Sequence, residues 1–303
     1  MNILITGATG FVGRNLTRYY VDNTDHNVTV IVRDKSKVEA DLVDKITIVV
    51  ADMNQYSSMR LPLEEYDLFY HFAWNGTSGP SRKDVKIQND NVKYTCDAVF
   101  LAQKYRCEKF INAGSIMEYE CIDNYEKNFV PPESYIYNIS KFAADYEAQA
   151  ISNALGIEYV SAVISNIYGV GEISARFINV MIRKMIHNEA IDLSSCEQLY
   201  DFIYISDAVR AISLVGEKGI NNTRYYIGNQ KLLKLKEFII KMYNLCNSSS
   251  ELKFGMIKNF INDDYYKSVN IGGIYELGFI PKVSFEEGII LTRDWLKEYG
   301  NEF

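Results

Sequence analysis

The sequence predicts an α/β fold in which a parallel β-sheet is covered by helices on both faces, a doubly wound arrangement. Short apolar runs rich in Val and Ile alternate with amphipathic stretches through the first half of the chain, which is typical of strands buried on both faces. A glycine-rich turn joins the first run to the first helix. The predicted strands are 2–6, 27–32, 46–50, 68–72, 109–113 and 159–164.

The glycine-rich turn comprises Gly7, Gly10 and Gly13, and a helix is predicted to begin near Phe11. Glycine allows the backbone to turn tightly and to approach a pyrophosphate, whose charge then meets the positive end of the helix. At the first strand of a βαβ pattern, this turn predicts dinucleotide binding, with the backbone of Phe11 and Val12 in contact. A turn that binds nothing is the weaker alternative.

The first part of the chain is therefore predicted to be a Rossmann-type domain, and the remainder a smaller, composite C-terminal substrate lobe. Beyond Tyr168 the alternation weakens into a predicted helix at 174–187, a strand at 199–205 and a terminal helix at 285–299. The predicted dinucleotide-binding domain is 1–165 with 201–228, and the predicted lobe is 166–200 with 229–303.

Composition excludes several classes of partner. The 303 residues are 48% hydrophobic and 23% charged, with a formal net charge of −7. An acidic chain has no general attraction to nucleic acid or to an anionic membrane, so neither partner is expected. No apolar run approaches the ~18 residues of a membrane span, and no secretory signal follows Met1. Five scattered cysteines without a C-x-x-C pair predict reduced thiols, a cytoplasmic location and no metal site.

Arg33 bears on the choice of cofactor. It follows the second strand, where an acidic residue would hydrogen-bond the ribose hydroxyls of NAD. A guanidinium at this position can clamp the 2′-phosphate of NADP. NADP is therefore the predicted cofactor and NAD the alternative, because the adjacent Asp34 could still bind the ribose and Arg33 could be a solvated surface residue.

Tyr137 and Lys141 form a Y-x-x-x-K pattern, which on a helix places a phenol and an ammonium on one face, one turn apart. A neighbouring ammonium makes the phenol a better acid–base group at neutral pH. Tyr105 and Lys109 repeat the pattern, but they precede Ser115 along the chain. Tyr137 instead follows Ser115, which comes after the predicted strand 109–113; a turn-capping role is the alternative for Ser115.

The spacing G-x-x-G-x-x-G, the later Ser115 and the Y-x-x-x-K pattern together resemble the extended short-chain dehydrogenase/reductase family. Its members include sugar-nucleotide epimerases, dehydratases and ketoreductases. The resemblance covers nearly the whole chain, since residues 166–169 match N-x-Y-G and residues 200–209 resemble R-D-x-x-x-V-x-D-x-A, with Tyr200 in place of the arginine. It implies a nicotinamide-dependent enzyme acting on a nucleotide sugar.

The resemblance also implies roles for individual residues. Ser115, Tyr137 and Lys141 would be the catalytic set, and Lys141 would also hold the cofactor ribose. Further cofactor contacts would come from Asp52 at the adenine and from Met53, Phe72 and Ala73, whereas His71 is expected to be a packed structural residue. The candidate substrate-binding residues are Trp74, Arg82, Met117, Asn166, Arg176 and Tyr200.

Two enzyme activities and one non-catalytic role follow as hypotheses. The dehydratases of the family carry an Asp-Glu pair directly after the catalytic hydroxyl residue, whereas this chain has Ile116 and Met117, which disfavours elimination of water. The first hypothesis is an NADPH-dependent reductase of a nucleotide-linked 4-keto-6-deoxy sugar, and the second is an NAD-dependent nucleotide-sugar 4-epimerase. The third is a non-catalytic dinucleotide sensor, against which the intact catalytic set argues.

The resemblance further implies a homodimer joined by helices near 91–105 and 137–153.

Overall fold

The computed structural model describes residues 1–126, 130–257, 266 and 268–299. Residues 258–265, 267 and 300–303 of the predicted C-terminal lobe lie outside the described residues. The chain divides into two compact units, the first formed by 1–164, 209–227 and 272–279, and the second by 165–208, 228–271 and 280–303. The sequence-based division differed in placing 201–208 with the first part and 272–279 with the second.

The first unit contains a seven-stranded parallel sheet with the strand order β11-β6-β5-β4-β1-β2-β3. Its strands are β1 (Asn2–Thr6), β2 (Asn27–Val32), β3 (Thr47–Val50), β4 (Leu68–His71), β5 (Lys109–Ser115), β6 (Glu158–Ile164) and β11 (Thr223–Ile227). Its helices are α1 (Phe11–Asn23), α2 (Val85–Lys104), α3 (Met117–Glu126), α4 (Ile136–Leu155) and, from Val209 onward, α6 (Ile205–Lys218).

The sheet has its topological switch at β1, which pairs with β2 on one side and with β4 on the other. In open parallel sheets, ligands bind beyond the carboxyl ends of the strands at such a switch. The residues after β1, β2, β4 and β5 therefore lie at the edge where a dinucleotide is expected. The seven parallel strands confirm the predicted doubly wound α/β fold.

The second unit is built from short strand pairs and three further helices. β7 (Asn166–Tyr168) pairs in parallel with β10 (Phe202–Tyr204), β8 (Ile191–Asp192) with β13 (Leu252–Lys253), and β9 (Leu199–Tyr200) runs antiparallel to β12 (Leu233–Lys234). The helices are α5 (Phe177–Ile186), α7 (Leu235–Leu245) and α8 (Phe285–Tyr299).

The strand predicted at 199–205 was wrong as a single element, because it is two strands interrupted at Asp201. The side chain of Asp201 is buried and accepts a hydrogen bond from Gln230 N at 2.8 Å, while its carbonyl accepts one from Asn166 Nδ2 at 3.1 Å. These hydrogen bonds hold Asp201 outside the strand pairing, so no continuous strand forms through it. The terminal helix at 285–299 has the predicted bounds, and the helix predicted at 174–187 is shorter, at Phe177–Ile186.

The main core of the first unit lies between the sheet and the helices α2 and α4. Across β4, β5 and β6, Phe69 meets Phe110 edge to face with ring centroids 5.1 Å apart, and Phe110 stacks on Tyr159 at 6.2 Å. Ala98, Ala102 and Ala148 are buried on the facing helices, so the helices approach the sheet closely. Among the residues that the structure describes, no helix is both long enough and apolar enough to cross a membrane.

Candidate active site

The turn after β1 is shaped by its glycines. Gly7 has a φ of +70°, and a Cβ there would lie 2.6 Å from the Phe72 carbonyl carbon; a Cβ on Gly13 would lie 2.3 Å from Gly7 O. The N-terminal end of α1 has no side-chain cap at Gly10 and no acidic residue in its first turn. Its backbone N–H groups, including those of Phe11, Val12 and Gly13, can therefore receive an anion. These features fit the pyrophosphate of a nicotinamide dinucleotide.

The side chains after β2 face different partners. Arg33 is exposed and donates from Nη1 to Asn75 Oδ1 at 3.1 Å, across to the segment that follows β4. Asp34 instead accepts from Ser36 N at 2.9 Å and Ser36 Oγ at 2.6 Å, and these hydrogen bonds lower the pKa of its carboxyl. Arg33 thus remains the residue that would meet a 2′-phosphate, and its role in binding NADP stays a prediction.

Asp52 and Met53 form a cap after β3. Asp52 Oδ1 accepts from Met53 N at 2.7 Å, and Asp52 N donates to Gln55 Oε1 at 2.8 Å, which begins a short 3₁₀ helix. The Met53 side chain is buried in the core between the sheet and α2. Asp52 is therefore the partly exposed group of this pair, and the cofactor contacts predicted for both residues stay predictions.

His71 joins the ends of β1 and β4. Its Nδ1 lies 3.0 Å from Thr6 Oγ1, and Thr6 Oγ1 accepts from Phe72 N at 3.1 Å and from Ala73 N at 3.2 Å. Burial, with the charge of Lys141 nearby, lowers the pKa of His71 to about 3. A neutral, packed imidazole is the structural role expected from the sequence, and it fixes the backbone of the predicted cofactor contacts Phe72 and Ala73.

Ser115, Tyr137 and Lys141 are placed by β5 and α4. Ser115 ends β5 and is buried, while Tyr137 and Lys141 lie one turn apart at the start of α4. Lys141 Nζ donates to Ala113 O on β5 at 3.0 Å, which ties the helix to the strand that carries Ser115. Burial lowers the pKa of Lys141 to about 8, against the opposing influence of Glu118 and Asp145.

Two residues of the segment after β4 lie directly against this set. The Lys141 ammonium is 3.7 Å from the centroid of the Trp74 ring, and the Arg82 guanidinium is 4.3 Å from the centroid of the Tyr137 ring. Trp74 and Tyr137 meet edge to face with centroids 6.1 Å apart. Each cation therefore lies over an aromatic face, a favourable arrangement when water is partly excluded.

Gln88 on α2 holds this segment in place, and sequence reasoning missed it. Its Oε1 accepts from Trp74 Nε1 at 2.9 Å, and its Nε2 donates to Gly76 O at 3.0 Å and Ser81 O at 2.9 Å. Gln88 is completely buried, so it can adopt few other geometries. A glutamine on an amphipathic helix carries no sequence signal for this role, because its partners, one indole N–H and two backbone carbonyls, are brought together only by the fold.

The candidate substrate residues of the second unit have partners of their own. Asn166 Nδ2 donates to Asp201 O, Arg176 forms an ion pair with Glu172 at 3.5 Å, and the Tyr200 ring stacks on Phe202 with centroids 5.6 Å apart. Arg176 precedes the first turn of α5 and its side chain is 43% exposed, which leaves part of the guanidinium accessible. The substrate role of these residues stays a prediction.

A comparison with family models places the chain among known proteins. Residues 3–228 match the model described as the NAD dependent epimerase/dehydratase family. The chain belongs to this family. The match covers every predicted cofactor and catalytic residue named above, and the expectation of an NAD(P)-dependent enzyme is confirmed at the level of the family.

Individual known proteins resemble the chain over nearly its whole length. CDP-abequose synthase of Salmonella typhimurium is 24% identical over 299 residues, covering 95% of each chain. The dTDP-D-glucose 4,6-dehydratase of Homo sapiens is 26% identical over 321 residues, covering 98% of this chain and 90% of the relative. The structure of UDP-glucuronic acid 4-epimerase from Bacillus cereus in complex with NAD has a TM-score of 0.80 at 19% identity, covering 100% and 99% of the two chains.

Proposed function

We propose that the protein is an NADPH-dependent reductase of a nucleotide-linked 4-keto-6-deoxy sugar. The observation that carries this proposal is the pair Tyr137 and Lys141 beside Ser115, with only apolar side chains at the two positions after the serine. Ile116 is 2% exposed and Met117 is partly exposed, and neither can take up or release a proton. The similarity to CDP-abequose synthase over 95% of the chain supports a role in nucleotide-sugar metabolism.

In the proposed reaction, Tyr137 donates its phenolic proton to the oxygen of the keto group as hydride reaches the carbonyl carbon. Ser115 donates a hydrogen bond to the same oxygen and stabilises the negative charge that develops there. The Gly7–Gly13 turn, Arg33 and Lys141 would hold the dinucleotide, whose reduced nicotinamide supplies the hydride. The product is the corresponding alcohol at C4.

The phenolate left on Tyr137 after proton transfer is stabilised by two cations. Lys141 follows one turn later on α4, and the Arg82 guanidinium is 4.3 Å from the ring centroid. Opposite charge near an acid favours its ionised form. Arg82 was predicted as a substrate contact; we propose that it also assists Tyr137, because its guanidinium lies over the Tyr137 ring.

Nucleotide-sugar 4-epimerisation is the alternative within the same machinery. It uses the same tyrosine, serine and lysine but returns the hydride to the other face of the sugar, and it retains NAD. The structural similarity to UDP-glucuronic acid 4-epimerase favours it. A non-catalytic dinucleotide sensor is the third candidate, but a sensor would not need Ser115, Tyr137 and Lys141 together.

Two measurements separate these functions. Purified protein is denatured and the released nucleotide identified; a reductase must exchange its cofactor, so little bound nucleotide is expected, whereas stoichiometric NAD would favour the epimerase. The protein is then incubated with NADPH or NADH and with CDP- or dTDP-linked 4-keto-6-deoxyglucose. Loss of reduced-nicotinamide absorbance with formation of a 6-deoxyhexose nucleotide supports the proposal, and no loss with any pair contradicts it.

We also propose a homodimer formed through α2 and α4, and a cytoplasmic location. Phe100 on α2 is 49% exposed, and Ile139 and Tyr146 on α4 are 40% and 53% exposed. Large apolar side chains exposed on adjacent helices are typical of an interface.

The proposed cytoplasmic location rests on the cysteines. The five free cysteines suit a reducing compartment: they are Cys96, Cys107, Cys121, Cys196 and Cys246.

A further inference from the structure

Glu118 lies immediately behind the proposed catalytic serine, in the first turn of α3. Its Oε1 accepts the backbone N–H of Ser115 at 2.7 Å, and Ser115 Oγ in turn accepts the N–H of Met117 at 3.2 Å. This arrangement resembles a helix capping box, except that the serine oxygen accepts from Met117 N rather than from Glu118 N. Because Ser115 Oγ accepts from the backbone, its own hydroxyl hydrogen remains available to donate to a substrate oxygen.

Glu118 differs from an ordinary capping glutamate in its burial. The side chain is fully buried, and its carboxyl packs beside Gly114 near the end of β5, where a Cβ at Gly114 would lie 3.4 Å from Glu118 Oε1. Within the described part of the chain, its Oε2 has no hydrogen-bond donor. A buried carboxyl that is only partly hydrogen-bonded is costly, and a surface capping role does not require that cost.

The groups that face Glu118 form a buried set of charges. Arg224 on β11 lies 3.9 Å from Glu118 Oε2 and forms a closer ion pair with Asp145 on α4. Asp145 is fully buried and accepts from Asn112 Nδ2 at 2.8 Å and Tyr159 OH at 2.6 Å. Strands β5, β6 and β11 and helix α4 are thus joined beneath the catalytic residues.

Lys141 is the fourth charged member of this set. It lies one turn before Asp145 on α4, and its ammonium bonds to Ala113 O, the carbonyl that precedes Gly114. Two carboxyls, one ammonium and one guanidinium therefore occupy one buried region, together with the neutral His71 and the phenols of Tyr119 and Tyr159. Burial and the charge of Asp145 raise the pKa of Glu118 well above its ordinary value, whereas the cations Arg224 and Lys141 favour its ionised form.

We propose that Glu118 is a positioning residue of the active site. Its carboxyl fixes Ser115 as a hydrogen-bond donor, and its charge, with that of Asp145, favours the ammonium form of the buried Lys141. This inference rests on the proposed function, which gives Ser115 and Lys141 their roles. From the capping pattern alone, Glu118 would be assigned only a structural role.

The test uses the tryptophan that Lys141 touches. The chain has two tryptophans, so Trp295→Phe leaves Trp74 as the single emitter, with the Lys141 ammonium 3.7 Å from its ring. Deprotonation of Lys141 should change the emission near pH 8, and Lys141→Met should abolish the transition. Because no substrate is needed, this readout is independent of whether the proposed reductase activity is found.

Glu118→Gln keeps an oxygen that can accept from Ser115 N but removes the charge. Loss of an anion disfavours the ammonium form, so the emission midpoint should move to lower pH, by roughly one unit for a charge this close in a buried site. Asp145→Asn should move it in the same direction. An unchanged midpoint in Glu118→Gln, folded by circular dichroism, would overturn the proposal whatever Asp145→Asn does.

The matched control is Glu120→Gln. Glu120 is also buried on α3, but its carboxyl accepts from Tyr135 OH at 2.6 Å and Asn138 Nδ2 at 3.0 Å rather than from Ser115. The emission midpoint of Glu120→Gln should match that of the parent protein, Trp295→Phe. If keto-sugar turnover is found, the alkaline limb of kcat should shift with the midpoint in Glu118→Gln; a limb that stays in place would count against a role in positioning.

Discussion

Tyr137 is the residue on which the proposed chemistry depends most directly. Replacing it by phenylalanine removes the proton donor and leaves the ring between Arg82 and Trp74. We expect kcat for keto-sugar reduction to fall by about 10²- to 10⁴-fold, the usual contribution of a general acid, while NADPH affinity stays unchanged. Steady-state kinetics and fluorescence titration with NADPH measure the two effects.

Tyr105→Phe provides the control, because Tyr105 and Lys109 repeat the Y-x-x-x-K spacing by chance. The Tyr105 hydroxyl accepts from Leu61 N at 2.8 Å and lies at the end of α2, before β5. Its removal should cost about 1 kcal/mol of stability and leave kcat intact. Equal losses of activity in the two variants would show that the assignment of Tyr137 is wrong.

Arg33 carries the predicted preference for NADP. In Arg33→Glu, the exposed guanidinium that reaches Asn75 becomes a carboxylate, which would repel a 2′-phosphate and accept from ribose hydroxyls. NADPH affinity should fall by about 10-fold or more, as expected for loss of a charge-assisted contact, and NADH affinity should hold or rise. The control is Arg60→Glu, which makes the same change of charge at an exposed residue after the 3₁₀ helix that Asp52 caps. Unaltered NADPH binding in Arg33→Glu would favour NAD as the cofactor.

His71 should remain neutral well into the acid range. Its pKa of about 3 in the folded protein lies below the ordinary value of about 6.5 expected in the unfolded chain. Because the folded pKa is depressed, the unfolded chain binds more protons, so stability is lost as the pH falls below about 6.5 towards 3. The NMR signal of the His71 imidazole is assigned as the one that disappears in His71→Gln. In the folded protein this signal should not shift between pH 7 and 5, whereas in urea it should titrate.

A titration of that signal between pH 7 and 5 in the folded state would mean that water reaches the imidazole. The hydrogen-bonded junction of His71 and Thr6 would then not be rigid enough to hold the Phe72 and Ala73 backbone in place.

At the level of elements, Gly13 decides how α1 meets β1. A Cβ at Gly13 would lie 2.3 Å from Gly7 O, so Gly13→Ala must push the helix away from the turn. We expect a loss of about 1–3 kcal/mol of stability, as in other overpacked sites, together with weakened dinucleotide binding. Thermal unfolding and NADPH titration test both parts.

The comparison for Gly13 is Gly156→Ala at the end of α4. Gly156 has a φ of +73° with open space around its Cβ, so alanine there costs backbone strain, about 1 kcal/mol, without touching the turn. This variant should lose stability and keep its NADPH affinity. Loss of binding in both variants would mean that instability, rather than the shape of the turn, controls binding.

The elements of the first unit were predictable because their signals are local. β1, β2 and the start of α1 coincide with the predicted bounds, since apolar runs and the glycine turn mark them directly. β5 extends two residues beyond its prediction, to Ser115, because pairing with β6 continues past the apolar run. The strand pairs of the second unit are two or three residues long, too short for any periodicity to appear in the sequence.

For the molecule as a whole, the residues of the site followed from motifs, but their supports did not. The Ser115, Tyr137 and Lys141 set and the glycine turn have characteristic spacings. Gln88 and Arg224, by contrast, act on partners that no motif marks: Gln88 on the segment after β4, and Arg224 on Asp145, which is 79 residues away along the chain. Such contacts depend on the order of strands in the sheet, which composition and spacing do not encode.

The assembly of the whole molecule provides the last prediction. α2 and α4 pack side by side, with Cys96 Sγ 3.4 Å from Glu147 Oε2 between them, and together they expose Phe100, Ile139 and Tyr146. Phe100→Glu should place a charge in the proposed dimer interface and convert the protein to a monomer in light scattering at micromolar concentration, because an unpaired buried charge costs several kcal/mol. Ile220→Glu, at an apolar side chain 65% exposed between α6 and β11, should leave the mass unchanged. A wild-type protein that is already monomeric would remove the proposed interface and leave the exposed rings of α2 and α4 to be explained by another partner.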